Sequence, residues 1–186
     1  MGIQITDGSG KGYQVGVTDD NKLKTLAVME YMVGHESEEN GNTYAWTGMM
    51  HGAGAAITAA DTVLWLRNDS TTEDLIIDKV VVSTGLATSW QLHCPVNTTA
   101  SGDTSVTGVN LNRKRGKTSS STCYQDETTN VQANVIAQGN LGANGSAILL
   151  AEGTIILGYL DCIAVDMTEA VTTACVTFRG YYHTPE

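Results

Sequence analysis

The stretch DTVLWLRNDSTTEDLIIDKVVVSTG, residues 61–85, sets two apolar runs on either side of a polar segment. Thr62–Asn68 and residues 75–84 are rich in Val, Ile, Leu and Trp, the composition of strands. Between them Asn68, Asp69, Ser70, Thr71 and Thr72 bond readily to their own backbone and so favour a turn. In the second run, IIDKVVVSTG carries apolar residues on both faces, as a strand in the middle of a sandwich does. The two runs read as paired strands, and they point to an all-β chain.

The same pattern extends outward from them. Residues 22–33 alternate in part, with Leu23, Thr25, Ala27, Met29 and Tyr31 on one side. Further strands are expected at residues 13–18, 43–50, 87–94, 131–137, 146–150, 159–165 and 174–183. Asn40-Gly41 and Asn144-Gly145 tolerate positive φ and suit tight reversals. The composition agrees, with 25 Thr and 20 Gly against 2 Pro and only 16% charged residues, where about 25% is typical. Ten or so short strands without a helix make a β-sandwich, jelly-roll-like, and 186 residues suffice for one domain with a sizeable core. The expected organisation is a flexible N-terminal arm over residues 1–12 and a single sandwich over residues 13–186, with no linker and no internal repeat. A closing hairpin is expected from strands 159–165 and 174–183 about Thr168-Glu169. It would set Cys162 opposite Cys175 and put Ile163, Val165, Val176 and Phe178 on the core side.

Charge excludes some functions. A net charge of −10 and a pI near 4.7 argue against nucleic acid, which requires a basic face that releases counterions. No run approaches the roughly 20 apolar residues that span a bilayer, and the best, residues 147–160, is interrupted by Glu152, Gly153 and Gly158. The start, MGIQITD, lacks the regions of a signal peptide. Its Gly2 and Thr6 fit a myristoylation pattern, but no polybasic patch follows to make one acyl chain a stable anchor. The N-x-[ST] triplets at Asn68, Asn97 and Asn144 are what a Thr-rich chain produces by chance. Cys94, Cys123, Cys162 and Cys175 show no CxxC spacing, and they read as small apolar residues kept reduced in a cytoplasm.

The motifs with chemical content are mostly decoys. NLNRKRGKTSSST, residues 110–122, ends in Gly116-Lys117-Thr118 like a phosphate-binding loop. Leu111 stands where the first glycine belongs, and the Ser/Thr run beyond Lys117 favours turns over the helix such a loop needs. His35-Glu36-Ser37-Glu38-Glu39 gathers carboxylates in a solvated turn before Asn40-Gly41, where no pKa need shift. His93 and Cys94 are neighbours, but adjacent strand residues point to opposite faces. His51 lies in the flexible MMHGAGAA, and Asp19-Asp20-Asn21 lacks the glycine and distal Glu of a calcium loop. Trp46, Trp65 and Trp90 would form a sugar-stacking platform if exposed; Trp65 within VLWL, and at least one other, read as core. No catalytic residue, metal or cofactor is expected.

The order of features carries more. A Gly-rich start (DGSGKGYQVGV) precedes DNKLKT, then GNTYAW, the pair TVLWLRND and EDLIIDKVVVSTG, then VNLNRKRG, and last CVTFRGYYH. This succession, over nearly the whole chain, resembles small all-β virion proteins of tailed bacteriophages, which decorate or cement the capsid or attach around the neck and tail. The resemblance implies a structural role without a cofactor, made in the host bacterial cytoplasm and located in the virion. It implies self-association, with a trimer as the expected state, and contact with the major capsid protein or another virion protein, not with nucleic acid or membrane. The cluster Arg113, Lys114, Arg115 and Lys117 would then meet an acidic neighbour. The arm, with Ile3 and Ile5 before Gly8, Gly10 and Gly12, would be ordered on a neighbouring subunit. The alternative is a host-receptor or carbohydrate-binding module on the tail or head, which an exposed Trp46 or Trp90 would favour. A glycosidase would need two carboxylates about 5–10 Å apart in one cleft.

Overall fold

The computed structural model describes residues 4–6, 12–14, 41–51, 62–96, 104–112, 117–127 and 134–185. The chain divides into two compact units, Met1–Tyr31 and Met32–Glu186. In the first, β1 (Gln4–Thr6) pairs antiparallel with β2 (Gly12–Gln14), and Ile5 lies opposite Tyr13. Ile3 and the expected strand at residues 22–33 lie outside the described residues.

The second unit is all-β, with no helix among its described residues. Its strands are β3 (Thr43–His51), β4 (Thr62–Asn68), β5 (Asp74–Thr84), β6 (Thr88–His93), β7 (Thr104–Ser105), β8 (Val109–Asn110), β9 (Ser121–Glu127), β10 (Val135–Leu141), β11 (Ser146–Leu157), β12 (Cys162–Met167) and β13 (Thr173–His183). They form two antiparallel sheets, one in the order β10-β6-β12-β4-β9-β7 and the other in the order β11-β5-β13-β3-β8. Alternation drives the packing. Trp90 and Leu92 of β6 share one core with Ala174, Val176 and Phe178 of β13, while the residues between them lie nearer solvent. Strand β12 sits between β4 and β6 and is buried along its whole length. Its Ile163, Val165 and Met167 enter the main core, whereas Cys162 and Ala164 pack outward with Trp65, under Val96 and Tyr124.

The pairing is nested. β3, β4, β5 and β6 pair with β13, β12, β11 and β10 respectively, and consecutive strands of each quartet alternate between the sheets. The segment from β7 to β9 is inserted between the quartets. Its β9 and β7 extend the six-stranded sheet beyond β4, and its β8 extends the other beyond β3. One flank of the sandwich is thus lined by the insertion, and the opposite flank ends in β10 and β11.

Two expected pairings are corrected. The runs at residues 62–68 and 75–84 do not pair, because β4 and β5 belong to different sheets. The segment between them is a corner built on Asn68. Its Nδ2 donates to the carbonyls of Glu73 and Leu157, each at 2.9 Å, and its Oδ1 accepts from the Ser70 amide at 2.9 Å. The closing hairpin also fails: Cys162 is opposite Arg67, and Cys175 is opposite Met49 and Ser83. With β4 and β6 on its two sides, β12 has no edge left for β13, and the chain crosses to the other sheet instead. The face assignment nevertheless holds, since Ile163, Val165, Val176 and Phe178 are all fully buried in one core.

Candidate functional site

His93 and Asp166 are the one cross-strand acid–base pair among the described residues that is wholly buried. They sit diagonally on β6 and β12, His93 opposite Ala164 and Asp166 opposite Gln91. The imidazole Nε2 lies 3.1 Å from the Asp166 Oδ2, with side-chain exposures of 0% and 1%. The expected strand ends at Val165, one residue short of Asp166, and His93 is weighed there only against Cys94. The signal for the pair is that Asp166 continues the alternation of Cys162 and Ala164. Along the same side, the Arg67 guanidinium lies 5.7 Å from the Trp65 ring centre. Its Nε is 2.6 Å from the Asp69 carboxylate, which also accepts from the Thr122 hydroxyl at 2.5 Å. These contacts tie neighbouring segments of the sheet together.

The thiols are equally quiet. All four cysteines are free. Burial pushes the Cys162 thiol up to about 12, and its S–H donates to the Leu160 carbonyl at 3.3 Å. Burial also raises Cys94, Cys123 and Cys175. A thiol held neutral is a poor nucleophile and a poor metal ligand. Among the described residues no cluster of three His, Cys, Asp or Glu could hold a metal ion.

A shallow groove of about 450 Å³ runs over the β10–β6 edge, lined by Ser89, Gln91, Gln138, Asn140 and Thr168. Across it the Ser89 hydroxyl donates to the Asn140 Oδ1 at 2.6 Å, and the Gln91 amide to the Gln138 Oε1 at 3.4 Å. The groove is polar and uncharged. Trp90 and Gly139 also line it, and the indole packs closely on the glycine: a Cβ on Gly139 would come within 2.9 Å of the Trp90 Nε1. Trp46, Trp65 and Trp90 are exposed by only 0%, 1% and 6%, so none forms the stacking platform that a sugar module would use.

The expected partner contacts are placed unevenly. Lys117 is exposed, donates from Nζ to the Asn42 Oδ1 at 2.9 Å, and accepts at its carbonyl from the Asn110 side chain at 3.0 Å. Arg113, Lys114 and Arg115 lie outside the described residues, between Asn112 and Lys117. Beyond Lys117 the chain runs into strand β9 rather than a helix, so the dipole that would hold a phosphate does not form there. Ile5 lies in β1 of the first unit. The His35 to Glu39 cluster is outside the described residues.

Sequence reasoning did not mark the outer edge of β11. Ile148, Leu150 and Ile156 are 63%, 57% and 55% exposed. The alternation in SAILL carries this signal, because its even positions had to face away once Ala147 and Leu149 packed on the core. No helix among the described residues is long and apolar enough to cross a membrane. Comparison with known proteins finds no family model, no curated protein and no solved structure that matches the chain.

Proposed function

We propose that this chain is a non-enzymatic structural protein of a tailed-bacteriophage virion, seated on the capsid surface as a decoration or cement protein, and that its second unit is a jelly roll. The observation that carries the reading is the nested pairing of β3 to β6 with β10 to β13 across two sheets. Two interleaved quartets of this kind are the arrangement of jelly rolls, a fold common among capsid and lectin domains. The order of sequence features that resembles phage virion proteins supports it. So does the use of the buried His93, Asp166 and Asn68 in internal contacts. In this reading Arg113, Lys114, Arg115 and Lys117 meet an acidic surface of the capsid protein, and the N-terminal residues, Ile3 and Ile5 among them, reach a neighbouring subunit.

Changing all four basic residues to Gln is expected to slow association with undecorated heads and to flatten its salt dependence, because charge complementarity acts chiefly on the encounter rate. Association kinetics at two ionic strengths provide the check, and unchanged rates would count against the contact. A glycan-binding role is favoured by one observation only, the uncharged groove at Ser89, Gln91, Gln138 and Asn140. It lacks an exposed aromatic residue, and it takes second place.

A further inference from the structure

Cations are scarce in this chain, 10 Lys and Arg against 20 Asp and Glu, yet the five-stranded sheet sets two of them side by side. Lys79 of β5 and Arg179 of β13 are directly opposed. Their neighbours Val80 and Phe178 are buried in the main core, so by alternation both cations stand on the outer face. Like charges directly opposite each other weaken a strand pair. Asp78 relieves this only in part, because its Oδ2 lies 3.9 Å from the Arg179 Nε, beyond hydrogen-bond reach. That Nε is buried without a hydrogen-bond partner among the described residues, and none of those residues forms an ion pair with Lys79. The register extends the row to Leu150 beside Lys79, and to Ala45 and Val109 beyond Arg179. In the next row Ile148 lies opposite Val81, and Val81 opposite Thr177. Leu150, Val109 and Ile148 are exposed. One row further on, Met49, Ser83 and Cys175 line a depression of about 350 Å³.

We infer that this outer face is a docking surface for an extended segment of a partner protein, whose carboxylate side chains bridge Lys79 and Arg179 and whose apolar side chain enters the depression at Met49 and Cys175. Charge complementarity names the occupant. A carboxylate set between the two cations relieves the apposition that the chain carries alone, and the guanidinium fork takes a carboxylate bidentately. The exposed Ile148, Leu150 and Val109 around them suit a protein segment with apolar side chains of its own. They do not suit a polyanion. Nucleic acid is held by neutralising many phosphates, and an anionic membrane by a cluster of several basic residues; two cations on a chain of net charge −10 meet neither need. Spacing sets the length of the segment. Arg179 lies four residues along β13 from Cys175, about 13 Å of strand, so about five or six residues reach from the apolar anchor to the carboxylate. The inference goes beyond the virion reading and does not depend on it, since it names the chemistry of a partner and not the place where the two meet.

The test titrates the full chain with two synthetic peptides, acetyl-Leu-Thr-Val-Thr-Glu-Glu-amide and the same peptide ending in Gln-Gln, and follows backbone amide shifts by nuclear magnetic resonance. The Glu peptide is expected to move the amides of Lys79, Val81, Thr177 and Arg179, and the Gln peptide to bind about 10-fold more weakly, since two exposed charge contacts are lost. Lys79→Gln should weaken the Glu peptide to a similar degree while leaving the thermal midpoint unchanged or raised, because it removes a like-charge apposition from the chain on its own. A lowered midpoint with unchanged binding would give Lys79 a structural role and overturn the inference. So would the absence of shifts, an equal response to both peptides, or shifts confined to other parts of the sandwich. Inorganic phosphate that reproduces the same shifts at the same concentration would make the pair a general anion site, and that also overturns it. Because the probe is a peptide, the outcome does not turn on whether the chain sits on a phage head.

Discussion

Asn68 is fully buried and commits its side chain to three backbone groups, the carbonyls of Glu73 and Leu157 and the amide of Ser70. An asparagine was legible as a turn former in the sequence. What stayed hidden was the Leu157 partner, which belongs to a strand far along the chain and makes the turn a corner between sheets rather than a reversal within one. Asp166 was hidden for a related reason. A carboxylate within an apolar strand is disfavoured, and the His93 imidazole on the adjacent strand helps to make the burial tolerable. Removing one member of a buried pair typically costs about 3–5 kcal/mol. Asp166→Ala is accordingly expected to lower unfolding stability by that amount in urea titrations. A loss under about 1 kcal/mol would mean that the pair contributes little beyond packing.

The alternating elements were the readable ones. β3, β4, β5, β6 and β13 fall within a residue or so of their expected bounds, since each keeps an apolar inner row. β9 escaped because STCYQDE is almost wholly polar; only Cys123 enters the main core. β12 and β13 were found but wrongly joined. Local sequence favours the hairpin between successive strands, and nothing in residues 168–172 distinguishes a reversal from a crossing to the opposite sheet. A further irregularity lies in β13, where the register with β5 shifts between Arg179 and Gly180. A Cβ on Gly180 would collide with the Ile76 carbonyl oxygen, a backbone atom that cannot swing away. Gly180→Ala is therefore expected to cost at least about 1–3 kcal/mol through overpacking. Thermal unfolding provides the measurement, and an unchanged midpoint would show that the two strands slide freely past each other there.

At the scale of the whole molecule, four nested strand pairs join β3–β6 to β10–β13, and the buried Asn68, His93 and Asp166 tie neighbouring segments together. The composition foretold the all-β class, because abundant Thr and Gly with sparse charge suit strands and tight turns. The nesting was not legible, since it depends on which sheet each strand enters. Of the expected contact residues, Lys117 is exposed beside Asn42, and the prominence of its basic neighbours came from their contrast with an acidic chain. The apolar edge at Ile148 and Leu150 gave no such contrast, because its residues resemble those of any core strand. The proposed place on the outside of a phage head is open to cryo-electron microscopy of virions purified from the phage proposed to encode this chain. The expected result is density for the sandwich at regular, repeated positions on the outer capsid surface. Virions that lack the chain, or that carry it only inside the head, would contradict it.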